Sequence, residues 1–497
     1  MVVTTSSGSP EMAPSRLGLR SYTWRDASVL TKLKRVHRKV GPIYLKPAVR
    51  WLELKGYPVP PPRSTYSPEL LFNEQFYNYF KDVKVVWDKR AFNLALRDLK
   101  RAFPKPQVGL TSLPITDTLH YLKPETNSGL PLLIRKKEDW IRGKREAFKI
   151  LHGKLKPLPC VAFYRTQPNK SDPKGPPKVR LVWGYPLAMT ILEATVAIPI
   201  MDLLQENRHC PYPLGYTGLG IAGRLQRARW SEIQFCMDWS KFDSTVPRKV
   251  LKVIFDYLKS WFIDQESQRK VEIVADYFFH SGILMPDGKV YVGRRRGIPS
   301  GSLFTQIVGS MANYFLIKYL AYRTNTWVDD KGILVFGDDS VIPLSKFPNL
   351  KAWAEEAGRL GMTIHPDKQV LSHGAPHFLG HFWEGPLPWR PLEETYQALA
   401  TSERHKKFQS SDEYATYVVD KALALIIDNA KAYHAMVDFL AFFLKMDIVW
   451  AYRWVSVGPL GRRHVTVRTG FLQSRPDLWN YSGSDDKLLF HERRVVH

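Results

Sequence analysis

Cysteine is scarce in this 497-residue chain: Cys160, Cys210 and Cys236 are the full set, and no two form a Cys-x-x-Cys pair. That excludes a disulfide framework and the common thiolate zinc sites, and it suits a reducing compartment. Acid is in short supply too, with 47 Asp and Glu against 72 Lys and Arg, a formal charge of +25. A surplus of that size points to a polyanion partner, because each phosphate neutralised by Lys or Arg releases counterions. Long uninterrupted apolar runs are missing. The greasiest stretches, 189–204 and 435–452, are broken by Glu193 and Asp202, and by Asp438, Lys445 and Asp447. Neither reads as a comfortable bilayer span, so a soluble protein with no membrane partner is expected. The first ten residues show no basic start followed by an apolar run, and no signal peptide is expected.

What is present is ordinary for a large globular enzyme: 44% hydrophobic and 24% charged residues, enough for two to four lobes. Residues 1–20 are rich in Ser, Thr, Pro and Gly and read as disordered or draped over the surface. A basic run over 32–39 follows, which suits an RNA contact, a nuclear signal or a solvated helical face equally well. Pro58-Val59-Pro60-Pro61-Pro62 makes a stiff connector, and residues 126–131, Thr-Asn-Ser-Gly-Leu-Pro, a loop between helices. Short apolar strands ending in acid are expected at 232–238 and 333–336, with helices at 249–263 and 304–320. Beyond 385 the pattern is helical, with long amphipathic candidates at 414–427 and 433–451. There is no internal repeat. The class expected is α+β, a small sheet at the centre with helices on either side.

The chemistry lies in the acidic centre. Residues 333–342 read Ile-Leu-Val-Phe-Gly-Asp-Asp-Ser-Val-Ile, two apolar runs flanking Gly337-Asp338-Asp339. Gly337 suits a hairpin tip because it tolerates positive φ. Two adjacent carboxylates between apolar strands repel each other, and a divalent cation relieves that cost. All-oxygen ligands favour Mg2+, with Mn2+ able to substitute. At average usage a Gly-Asp-Asp occurs by chance in roughly one protein in ten of this length. Asp329-Asp330 and Asp485-Asp486 are such chance pairs, set in turns without flanking strands.

Two further elements add specificity. Residues 235–246 read Phe-Cys-Met-Asp-Trp-Ser-Lys-Phe-Asp-Ser-Thr-Val. Asp238 ends an apolar strand, where a carboxylate able to bridge two metal ions belongs, and Asp243 lies a turn further on, within reach of an incoming sugar. Residues 296–305 read Arg-Gly-Ile-Pro-Ser-Gly-Ser-Leu-Phe-Thr and run into a helix that carries Asn313. Ser300 and Gly301 give a flexible loop whose backbone can approach a nucleic acid. Thr305 and Asn313 share a helix face and, with Asp243, make a cluster suited to a ribose 2′-OH.

Asp-x4-Asp, Ser-Gly-x3-Thr-x7-Asn and Gly-Asp-Asp, in that order, resemble the palm of viral RNA-dependent RNA polymerases. The fuller strings are most similar to partitiviruses, the cryptic double-stranded RNA viruses, with picobirnaviruses nearby. The resemblance covers roughly 125–385 and implies a right hand of fingers, palm and thumb. It divides the chain into an N-terminal extension bridging fingers and thumb (1–65), fingers (66–231), palm (232–255 and 293–385) interrupted by an insertion (256–292), and thumb (386–497). It implies Asp238, Asp338 and Asp339 as catalytic metal ligands for two Mg2+ ions, and Lys368 as general acid for pyrophosphate. Residues 177–186, Pro-Lys-Val-Arg-Leu-Val-Trp-Gly-Tyr-Pro, resemble the motif gripping the nucleoside triphosphate. Lys178 and Arg180 alternate on one strand face, and Arg165, Lys170 and Lys174 lie upstream. Thr126, Ser128 and Gly129 resemble the fingers loop beside the template path, with Gly301 also close to RNA, and Phe378-Leu379-Gly380 resembles a primer support. Implied partners are single- and double-stranded RNA, nucleoside triphosphates and capsid protein, in the host cytoplasm inside the virion.

A reverse transcriptase shares such a palm but carries an aromatic residue in place of Asp243 and a Tyr-x-Asp-Asp tip. A basic RNA-packaging protein explains the charge but not the ordered carboxylates. His373, His377 and His381 recur every four residues, as zinc ligands on a helix would. Gly374, Pro376 and Gly380 among them favour a strand-turn element instead.

Overall fold

The computed structural model describes residues 18–457 except 39–42, 62–63, 168–177, 217, 230, 232 and 403–407. The expectation of disorder for residues 1–20 falls almost wholly outside the described residues, as do Lys170 and Lys174.

The N-terminal elements are β1 (Ser21–Thr23), α1 (Ala27–Val36), β2 (Ile43–Tyr44) and α2 (Lys46–Leu54). Then come α3 (Glu74–Asn78), α4 (Lys89–Ala102), α5 (Lys136–Leu151), β3 (Cys160–Thr166), β4 (Val179–Gly184), α6 (Leu187–Glu206) and α7 (Gly218–Arg229). The middle carries β5 (Ile233–Cys236), β6 (Trp239–Ser240), α8 (Phe242–Thr245), α9 (Arg248–Lys259), α10 (Gln265–His280), β7 (Ile283–Leu284) and β8 (Lys289–Tyr291). It continues through α11 (Phe304–Arg323), β9 (Leu334–Phe336), β10 (Asp339–Leu344), α12 (Leu350–Arg359), β11 (Thr363–Ile364), β12 (Val370–Ser372), β13 (His377–Phe378) and β14 (His381–Phe382). The end is helical: α13 (Leu392–Ala400), β15 (Thr401–Ser402), α14 (Ser411–Asp428), α15 (Tyr433–Leu444) and α16 (Ile448–Val457).

Two sheets carry the charged residues of interest. The central one runs β12-β5-β10-β9, antiparallel throughout. The outer one runs β1-β8-β7-β3-β4. Helices α6 and α11 are apolar on nearly every face because each runs through the main core. Among the described residues α6 is the one helix long and apolar enough to cross a membrane, and 78% of it is buried within the protein. Amphipathic α9 turns Val250, Leu251, Ile254, Phe255 and Leu258 inward at helical spacing.

The N-terminal stretch divides between two bodies. β1 pairs with β8, and α1 buries Val29 and Leu33 in a small cluster with Val161, Leu284 and Val290. Its basic residues remain largely on the solvent side. β2 instead pairs with β15, and α2 places Ala48, Trp51 and Leu52 in the core of the C-terminal helices. The Trp51 indole N–H donates to Asp438 at 2.8 Å. The main core runs to Trp383, and the second core takes over from Leu392 and Tyr396.

The single helix expected at 433–451 is two. Lys445 takes a left-handed conformation at φ 52°, and the Met446 amide closes back on the Ala441 carbonyl at 3.0 Å. Asp447 then starts α16 by accepting from the Val449 amide at 2.9 Å. The histidine stretch forms the hairpin β13–β14, its two turn residues Leu379 and Gly380 both at positive φ. His381 is buried against the Leu379 carbonyl and Asp428, each at 2.8 Å. Among the described residues none of these histidines belongs to a metal cluster.

Candidate active site

Strands β9 and β10 pair Phe336 with Asp339, which leaves Gly337 and Asp338 as the two turn residues. Gly337 has φ 62° and no positive φ occurs at Asp338, the pattern of a type II′ hairpin with glycine first. Helix α11 holds this turn from behind. The Gly337 amide donates to Ser310 Oγ at 2.8 Å. The Asn313 amide donates to the carbonyls of Gly337 at 3.0 Å and Asp338 at 3.1 Å, and its oxygen accepts from the Trp239 indole at 2.9 Å. Apolar Leu334, Val335 and Phe336 anchor the strand below, so the two carboxylates are carried to the sheet's edge.

Asp238 reaches the same edge from the adjacent strand. β5 pairs with β10 so that Phe235 faces Ile342, and with β12 so that Cys236 faces Val370. Asp238 lies just beyond the last of these pairs, where the charges of Asp338 and Lys368 act on it and its own charge acts on Asp339. The chain then changes partner, since β6 pairs with β11 instead. The Gln369 side chain spans this change, accepting from the Asp238 amide at 2.9 Å and donating to the Asp238 carbonyl at 3.1 Å. Both Asp238 and Asp338 are exposed, and Asp339 is half-buried.

The carboxylates act on one another. Although Asp238 reaches solvent, protein crowded around its carboxyl displaces water, and this, then the Asp338 charge, pushes it up, while Lys368 and Arg180 pull it down. Burial again leads for Asp339, followed by Asp338 and Asp238, and it too is raised. Asp243, half-buried on α8, is raised by burial and by Asp338. Arg180 is the cation that opposes this rise at all three. It sits exposed on β4 directly across from Arg165 on β3, with exposed Lys178 just before the strand. An antiparallel pair of like charges is unfavourable, so this strand pair collects positive charge at some cost.

The fit to a divalent cation rests on these groups. Among the described residues no three His, Cys, Asp or Glu side chains form a ready metal cage. Mg2+ does not require one: it keeps several waters and binds through one or two carboxylates together with substrate phosphates. Asp238 and Asp338, exposed and mutually repelling, suit that role. Asp339, turned further inward, is placed to add to the field.

Several expected contacts to RNA or sugar are used inside the protein. Asn313 is fully buried and its amide donates to the acidic turn, so it holds the carboxylates from behind. Thr305 donates to the Pro299 and Ser302 carbonyls, both at 2.8 Å, which closes its own loop. Ser300 Oγ accepts from the Trp183 amide at 3.3 Å, and a Cβ on Gly301 would stand 1.6 Å from the Trp183 carbonyl. The close backbone approach at Gly301 is therefore to β4. Likewise Ser128 and Gly129 are buried, and a Cβ on Gly129 would stand 2.4 Å from the Tyr185 carbonyl. Thr126 is exposed and donates to Lys123. Glycine marks a close approach, but the sequence does not say to what. Gln369 and Ser310 carry no signal in the sequence, because a lone Gln or Ser makes no pattern.

The chain matches the family profile described as viral RNA-dependent RNA polymerase over residues 75–441. It is similar to the RNA-directed RNA polymerase of Cryptosporidium parvum virus 1, at 26% identity over 306 residues, covering 55% of this chain and 54% of that protein. It is also similar to that of white clover cryptic virus 1, at 25% identity over 209 residues, covering 36% and 33%. The chain thus spans about half the length of the first of these relatives, and less of the second. In fold it is similar to the RNA-dependent RNA polymerase of a human picobirnavirus, with TM-score 0.68 at 17% identity, covering 89% of this chain and 92% of that one. With the family profile covering well over half of its length, this chain belongs to the viral RNA-dependent RNA polymerases.

Proposed function

We propose that the chain copies an RNA template by adding nucleoside monophosphates to a 3′-OH, in the replication and transcription of a double-stranded RNA genome. The observation that carries this reading is the acidic edge itself: the Gly337-Asp338 turn gripped by Ser310 and Asn313, with Asp238 held at the same edge by Gln369 and the charge of Arg180 on β4 acting on it. A basic strand and an acidic sheet edge that feel each other's charge suit a ligand carrying both signs, which a metal-bound triphosphate does.

In this reading the central sheet is the palm, β3 and β4 belong to the fingers, and the C-terminal helices with α2 form the thumb. Asp238 and Asp338, with Asp339 beside them, would hold Mg2+, which would supply a lower pKa for the attacking hydroxyl and a counter-charge for the leaving pyrophosphate. Arg180, with Arg165 and Lys178 near it and Lys174 outside the described residues, orients the triphosphate for in-line attack. Lys368, whose charge reaches Asp238, would deliver a proton to pyrophosphate. Asp243, on which the Asp338 charge acts, would accept from a ribose hydroxyl. Mn2+ substitutes for Mg2+, and the setting is the host cytoplasm, within a particle whose capsid protein is a partner.

Asp338→Ala is expected to abolish templated nucleotide incorporation, a loss of about 10³-fold or more, with RNA affinity nearly unchanged. Extension of a templated RNA by that variant at the wild-type rate would refute the reading.

A further inference from the structure

Glu193 lies in the middle of apolar α6 and is completely buried. A buried carboxylate is costly unless it is well hydrogen-bonded, so its partners are informative. One oxygen accepts from Ser302 Oγ at 2.6 Å and the other from the Leu303 amide at 2.8 Å. Ser302 Oγ accepts in turn from the Phe304 amide at 3.0 Å. These are the first orphan amides of α11, whose own preceding residue, Leu303, supplies no side-chain cap. Glu193 therefore caps α11 from another helix, directly at Leu303 and through Ser302 at Phe304. Negative charge is favourable at that end of a helix.

The cap matters because of what α11 carries. Ser310 and Asn313, two and three turns on, hold Gly337 and Asp338. On the other side of the cap, Ser300 and Gly301 close onto β4, the strand of Arg180. The loop at 300–303 thus touches both the basic strand and the helix that grips the acidic turn. Burial pushes the Glu193 carboxyl up to about 8, against the pull of Ser302, the Leu303 amide and Lys136.

We infer that Glu193 is a positioning residue for nucleotide addition, acting through the α11 N-terminus to set the Gly337-Asp338 turn relative to β4. The inference rests on the polymerase reading for its kinetic consequence, but its structural half is independent of that reading.

The test is Glu193→Gln in the full chain, with Ser302→Ala and the double variant alongside. Glu193→Gln is expected to lower kcat for single-nucleotide addition roughly tenfold, because a side-chain NH2 replaces one of the two oxygens that accept from Ser302 Oγ and the Leu303 amide. RNA affinity is expected to hold, and the double variant to be no worse than the poorer single one. Amide hydrogen exchange supplies the readout that does not need activity. Faster exchange is expected both at residues 303–304 and at Gly337, with β5 and β10 unchanged. Faster exchange at 303–304 alone, or wild-type kcat with a lower Tm, would overturn the inference and leave Glu193 a brace of the fold. A wild-type chain that adds no nucleotide would count against the polymerase reading, and exchange at Gly337 would still decide the role of Glu193.

Discussion

Two strand ladders in this protein gather like charge, and they do so with opposite signs. In the outer sheet Arg165 stands directly across from Arg180. In the central sheet β5, β9 and β10 bring Asp238, Asp338 and Asp339 to one edge. The arginine pairing weakens its own ladder, on the order of 0.5 kcal/mol. Neither sheet needs its charges, since the ladders are secured by apolar neighbours such as Val161, Leu181, Phe235 and Ile342, all buried. The two regions differ in how the charge is held. The acids sit at a tight turn gripped from behind by Ser310 and Asn313, whereas the arginines stand within a regular strand pair. Carboxylates that ligate a cation require fixed geometry, while long guanidinium stems can track a triphosphate.

The comparison breaks first at Asp238. Asp238→Asn keeps the shape and the backbone bonds to Gln369 but removes the charge. Single-turnover incorporation is expected to fall about 10³-fold or more, because one of the two exposed carboxylates suited to the metal is lost. Activity within tenfold of wild type would show that the acidic edge is not where reaction occurs. At the basic edge, Arg180→Gln is expected to cost about 10- to 100-fold in kcat/KM for the nucleotide, with RNA affinity unchanged at fixed salt. An equal loss of RNA binding would instead make β4 part of the template surface.

These residues were legible because their patterns are local. An apolar run ending in acid announces Asp238 and Asp338, and alternation on a strand announces Lys178 and Arg180. What was not legible depends on partners far along the chain. Asn313 looked like a sugar contact, yet its carbonyl partners lie 24 and 25 residues on. Gly129 and Gly301 looked like places where RNA comes close, and the backbone that comes close is that of Tyr185 and Trp183. The early helix α2 gave no sign that Trp51 belongs to a core formed nearly 400 residues later. A helix face shows that it must be buried, not against what.

The subtlest effect is the repulsion on the basic side, and a double-mutant cycle isolates it. Arg165→Gln and Arg180→Gln each lose more than charge, because an arginine stem also packs. Their single effects on stability therefore carry no simple sign. The coupling between them does, since packing losses cancel in the cycle. With no nucleotide bound, the pair is expected to couple unfavourably by about 0.5 kcal/mol in denaturant unfolding at low salt, and less at high ionic strength. Adding triphosphate with Mg2+ should reverse the sign, as both guanidiniums then share one anion. A coupling that stays favourable without ligand would mean that β3 and β4 hold their arginines for the fold.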